Sequence, residues 1–88
     1  MRINPDFTIQ KVGGSYVAVP VGETSKSFHA MIRLNETGAF LWKQMDGKDC
    51  TEEELVQALL NEYEVERAIA ERDVRALVAQ MRQRGLFV

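Results

Sequence analysis

The side chains able to do chemistry are few. His29 is the only histidine, and no second histidine or cysteine lies at a spacing that would share a metal with it. It falls instead in a strand-like run. Cys50 is the only cysteine, which excludes an intramolecular disulfide and any multi-cysteine metal site. It precedes a helix start, where a thiol can become more acidic, but no histidine near it in sequence could act as its base. The acidic run Glu52-Glu53-Glu54 is explained by helix capping. Gly13-Gly14 lacks the further glycine spacing and the Lys-Ser/Thr ending of a phosphate loop, so it reads as a hairpin turn. With no nucleophile, base and orienting group in view, the expectation is a protein that is not an enzyme, with no catalytic residue, metal or cofactor.

Composition narrows the class further. A chain of 88 residues with 45% apolar content has enough material for one domain, 1–88, around one small core. A net charge of −2 argues against bulk electrostatic attachment to nucleic acid. The N-terminal residues Met1 to Asp6 lack the apolar stretch of a signal peptide, and no apolar run is long enough to span a bilayer. A cytoplasmic protein with no membrane or nucleic-acid partner is expected.

The elements that would position any site follow from pattern. Phe7, Ile9 and Val12, then Tyr16, Val17 and Val19, flank the glycine pair, predicting strands at 7–12 and 15–19. Pro20 and Gly22 predict a loop, with residues 23–27 its mobile part and a third strand at about 28–33. Asn35 is a suitable N-cap for a helix over 36–45 that ends at Asp46-Gly47 and buries Gly38, Leu41, Trp42 and Met45. Gly38 on that face suggests close approach of another backbone or simply a tolerated helix glycine. Thr51 and Glu54 have capping-box spacing, starting a second helix whose inner face is Leu55, Val56, Leu59 and Tyr63. A third helix runs from about Arg67 to Arg84, with Ala70, Val74, Leu77, Val78 and Met81 inward and Gly85 as its stop. The tail Leu86-Phe87-Val88 is expected to fold back over the core. The fold class is α+β, a winged helix-turn-helix-like arrangement with a three-stranded antiparallel sheet followed by three helices.

Two surfaces are left without a task. At 100° per residue, Ile69, Asp73, Ala76 and Gln80 share a mixed face of the third helix, with Leu77 on its border and Arg72 beside it. A small alanine between an aliphatic residue and hydrogen-bonding groups suits a groove wall, and equally a solvated face. The run Phe28-His29-Ala30-Met31-Ile32-Arg33 would offer unpaired backbone groups if it ends the sheet, unless a loop or a second copy protects it.

Leu34-Asn35-Glu36-Thr37-Gly38-Ala39, Trp42 and Asp46-Gly47, followed by Thr51, Glu54-Leu55, Leu59, Tyr63, Asp73-Val74, Met81 and Arg84-Gly85-Leu86, closely resemble the PqqD-like family, also called RiPP recognition elements. The resemblance is specific over residues 34–86. Over 1–33 it rests on the strand-turn-strand pattern. It implies a module that binds the leader segment of a ribosomally made precursor peptide and presents it to a modifying enzyme, often a radical S-adenosylmethionine enzyme. The leader would add as a strand to the third β-strand and lie against the third helix. Carried over, the contacts fall on Phe28, His29, Ala30, Met31, Ile32 and Arg33 and on Ile69, Arg72, Asp73, Ala76, Leu77 and Gln80. The resemblance does not select the precursor, the product or the partner enzyme. A homodimer through residues 28–33 would compete with the leader for the same edge.

The rival expectation is a winged-helix DNA-binding or regulatory protein, because Arg67, Arg72, Arg75, Arg82 and Arg84 all lie on or just after the third helix. Glu66, Glu71 and Asp73 dilute that charge, which weakens the case for phosphate contact.

Overall fold

The computed structural model describes residues 1–22 and 32–88. Strand β1 (Phe7–Val12) turns at Gly13-Gly14 into β2 (Ser15–Pro20), with Gly13 at φ +63°, a left-handed conformation that a residue with a Cβ rarely adopts. Lys11 lies opposite Tyr16 and Ile9 opposite Ala18. Strand β3 (Ile32–Leu34) pairs antiparallel with β2, placing Leu34 opposite Tyr16 and Ile32 opposite Ala18. Ile9, Lys11, Tyr16, Ala18, Ile32 and Leu34 therefore share one face of the sheet, which turns toward the helices. Its order is β1-β2-β3, so β3 lies at an edge among the described residues. The expected loop at residues 23–27 and the first part of the expected third strand, residues 28–31, lie outside the described residues.

A single residue, Asn35, separates β3 from helix α1 (Glu36–Met45). Its side-chain Oδ1 accepts from the Gly38 amide at 2.7 Å, and its carbonyl accepts from Ala39 at 2.9 Å. Gly38 is buried, and the atoms nearest a Cβ built on it belong to side chains. A Cβ there would meet Oδ1 of Asn35 at 3.2 Å and Cδ2 of Leu34 at 3.4 Å, so the tight neighbours are the cap and the end of β3. Helix α2 (Glu52–Glu62) starts in a complete capping box, with the Glu54 amide donating to Thr51 Oγ1 at 3.1 Å and the Thr51 amide to Glu54 Oε1 at 2.9 Å. Helix α3 (Arg67–Gln83) ends where Gly85, at φ +73°, lets the Leu86 amide reach back to the Met81 carbonyl.

The core lies between the inner sheet face and the three helices. Trp42, Leu41, Met45, Leu55, Leu59, Val74, Val78 and Met81 are almost fully buried, and Ala18, Ile32 and Leu34 meet them from the sheet. Phe40 on α1 and Tyr63 at the end of α2 close one side with an edge-to-face contact, centroids 5.6 Å apart. Leu86 is buried and Phe87 half-buried, as a tail folding over the core requires, whereas Val88 is exposed.

What the sequence pattern does not disclose is the partner of that tail. Ile3 bridges to Phe87, the Asn4 amide donates to the Leu86 carbonyl, and the Val88 amide to the Arg2 carbonyl. Ile3 thereby joins the core. The Met1 ammonium reaches Asp49 Oδ1 at 2.6 Å and the Cys50 carbonyl at 2.8 Å, and its hydrogen bond to Asp49, together with its charge, holds the Asp49 carboxyl below the usual aspartate range. Cys50 itself is buried, with its thiol directed at the Gln44 carbonyl. Its role is packing.

Glu53 on α2 ties the start of α3 in place. Arg67 Nη2 donates to both of its carboxylate oxygens, at 2.5 and 2.7 Å. The guanidinium, and secondly Gln57, hold the Glu53 carboxyl below the usual glutamate range. Because the folded value is the lower one, the stabilisation is complete above the unfolded glutamate value and is lost as pH falls through the folded one. Thermal melts of Glu53→Gln should show a small fall in Tm at neutral pH that closes in acid. A gap persisting at a pH where the carboxyl is protonated would assign the effect to something other than this ion pair.

Candidate binding cleft at the sheet edge

Alongside β3 the surface opens into a cavity of about 550 Å³. One wall is the end of β3 and the first two turns of α1, with Arg33, Leu34, Asn35, Thr37, Gly38 and Leu41. The other is α3, with Asp73, Ala76, Leu77 and Gln80, and Ser15 stands at the hairpin end. Leu34 and Leu41 are buried core residues, so the floor is the outer surface of the hydrophobic core. Leu77 is half-buried between core and cleft, while Asp73, Ala76 and Gln80 are exposed along the rim. Polar groups around an apolar floor are suited to a peptide, whose side chains are taken by the floor and whose backbone needs partners at the edge.

Five of the twelve residues expected at the site thus meet around one cavity: Arg33, Asp73, Ala76, Leu77 and Gln80. Ile32 belongs to β3, but its side chain is 2% exposed and faces the core, so only its backbone is available to an added strand. Ile69 is exposed one turn before Asp73 on the same stripe of α3 and does not line the cavity. Arg72 also stands outside it, its Nη2 3.5 Å from Asp73 Oδ1. Phe28, His29, Ala30 and Met31 lie outside the described residues.

Ser15, Leu34, Asn35, Thr37, Gly38 and Leu41 escaped the sequence reading as site residues, although several were assigned as cap or core. One signal could have found them. With only Asn35 between strand and helix, the first turn of α1 has to lie beside the end of β3, so whatever lines that strand end also touches the cap.

Charge on the cleft is mixed. Arg33 makes no ion pair among the described residues, and Asp73 faces it from the helix wall. The arginines that would have to serve a nucleic acid are partly engaged elsewhere: Arg67 with Glu53 and Glu71, Arg72 with Asp73. Among the described residues, no group of His, Cys, Asp or Glu side chains could hold a metal ion, and no helix is long and apolar enough to cross a membrane.

Fold and cleft together define a winged-helix-like α+β module with an open groove between a sheet edge and its last helix. The chain belongs to the PqqD family: residues 16–86 match the family described as Coenzyme PQQ synthesis protein D. Among solved structures it is similar to TbiB1 in complex with the TbiA(beta) leader peptide, with a TM-score of 0.73 and 23% identity over 98% of this chain and 93% of that one. It is also similar to a lasso peptide synthetase B1 complexed with the leader peptide, with a TM-score of 0.72 and 28% identity over 97% of this chain and 93% of that one. None of the curated proteins matches it in sequence.

Proposed function

We propose that the chain is a RiPP recognition element, a peptide-binding adaptor that captures the leader segment of a ribosomally synthesised precursor and presents it to a modifying enzyme without doing chemistry itself. The observation that carries this reading is the position of β3 at the edge of the sheet, among the described residues, beside the cavity on α3. A leader strand added there would exchange backbone hydrogen bonds with β3 and lay alternate side chains on Leu34, Leu41 and Leu77. Each such hydrogen bond contributes about 0.5–1.5 kcal/mol net and apolar burial about 25 cal/mol per Å², enough for micromolar affinity after the costs of association. Both solved relatives are described in complex with leader peptides, which supports the same ligand class here. A radical S-adenosylmethionine enzyme is the partner that the family resemblance favours, and residues 1–88 would act as one unit in reaching it.

The test is an amide chemical-shift titration of labelled protein with the leader region of the precursor peptide encoded beside its gene, and separately with a generic DNA duplex. Saturable shifts on residues 32–38 and 73–80 with the peptide alone are expected. No peptide response, together with salt-sensitive shifts at Arg75, Arg82 and Arg84 on adding duplex, would replace this reading with a DNA-binding one.

A further inference from the structure

The cleft does not stop at the strand. A second cavity, of about 610 Å³, opens between the β1–β2 turn and the start of α1, and it shares Ser15, Leu34 and Asn35 with the first. The two cavities therefore adjoin at the Asn35 cap. Beyond the cap the lining changes character, from the apolar floor of the first cavity to Lys11, Tyr16 and Glu36. A Cβ built on Gly13 or Gly14 would meet no atom within 4 Å, so the turn leaves the far end open.

Two lysines converge on one ring at that end. The ammonium groups of Lys11 and Lys43 both lie 5.7 Å from the centroid of the Tyr16 ring, one from the hairpin and one from α1. Neither lysine makes an ion pair among the described residues. Glu36 is the acidic group lining the cavity, and it stands in the first turn of α1, where the helix dipole already favours a carboxylate. Lys11 in the lining and Lys43 just outside it thus bring two ammonium groups to one aromatic ring. A chain leaving the strand groove at this end meets it next.

We infer that the leader-binding cleft continues past the start of α1 to the β1–β2 turn, where Lys11 takes a carboxylate side chain of the same peptide. The inference rests on the leader-binding reading and adds a specificity position to it. Lys43, on α1, adds a second positive charge near the same ring, and Tyr16 provides the surface on which the stem of the acidic side chain lies. Lys11 is exposed at the end of β1, so its replacement leaves the core untouched.

Calorimetric titrations with the encoded leader region should be run on the wild type, Lys11→Glu, Lys11→Gln and Ala76→Glu, and repeated with leader variants in which each Asp or Glu is changed to Asn or Gln. Lys11→Glu should weaken binding about threefold to tenfold at low salt, with the loss shrinking as salt is raised. One acidic leader position should couple to Lys11: neutralising it weakens binding to the wild type but not to Lys11→Gln. Amide shifts should also extend to Gly13, Gly14 and Tyr16. Binding that Ala76→Glu disrupts but Lys11→Glu leaves unchanged, or the absence of any coupled acidic position, overturns this inference and spares the leader-binding reading. A wild type that binds no leader overturns both.

Discussion

Ala76→Glu should lower leader affinity by about 30-fold to 100-fold while leaving the protein folded. Ala76 is exposed on α3 and lines the cavity opposite β3. Glutamate is a good helix former at an exposed position, costing only a few tenths of a kcal/mol there, so the helix tolerates it. The cleft does not. The longer side chain fills space that a peptide would occupy, and its carboxylate must be desolvated beneath the bound leader with Asp73 one turn away to repel it. A penalty of about 2–3 kcal/mol corresponds to that range of affinity. Ala79→Glu makes the discriminating control, because Ala79 is exposed on the same helix but outside the cavity. Titration calorimetry on the two variants, with circular dichroism to check folding, should separate them. Equal affinities for wild type and folded Ala76→Glu would remove α3 from the site.

How much of this was legible beforehand depends on the distance over which each feature is decided. The caps at Asn35 and Thr51 are made within three residues, and the sequence placed them and the helices they begin. The inward stripe of α3 likewise follows from spacing alone, and Ala70, Val74, Val78 and Met81 are buried as it requires. The pairing of Ile3 with Phe87 joins opposite ends of the chain, and nothing local to either residue announces it. The cleft falls between these cases. Its helix wall was visible as an odd mixed stripe, but the pattern could not say where along that stripe the cavity begins, so Ile69 and Arg72 were grouped with Asp73 and Ala76. Its strand wall was hidden by double duty. Leu34 and Leu41 are core residues whose outer surfaces also form the floor, and Asn35 is a cap that also lines the rim. Gly38 shows the same limit, since the pattern left a backbone approach and a tolerated helix glycine both open and could not name the Asn35 and Leu34 side chains that come nearest.

Trp42→Ala should bring the domain close to unfolding without altering the cleft's chemistry. Trp42 is 1% exposed at the centre of the core on α1. Truncating a fully buried aromatic costs about 3–5 kcal/mol, because the transfer free energy and the contacts around the vacated volume are both lost. A domain of this length has a total stability of roughly 5–10 kcal/mol, so one substitution removes a large share. A fall in Tm on the order of 20 °C is expected by circular dichroism, which is the appropriate probe because Trp42 is the only tryptophan and its fluorescence is lost with it. Added leader binds the native state alone and should raise Tm by mass action, which separates the two kinds of damage. Trp42→Ala starts low and should still rise with peptide, since its groove residues are unchanged. Ala76→Glu starts near the wild type and should rise little. A drop of only a few degrees in Trp42→Ala would mean that the core holds together without its largest side chain, and a Trp42→Ala protein that is folded in the cold yet insensitive to peptide would mean that α1 positions the groove through Trp42 itself.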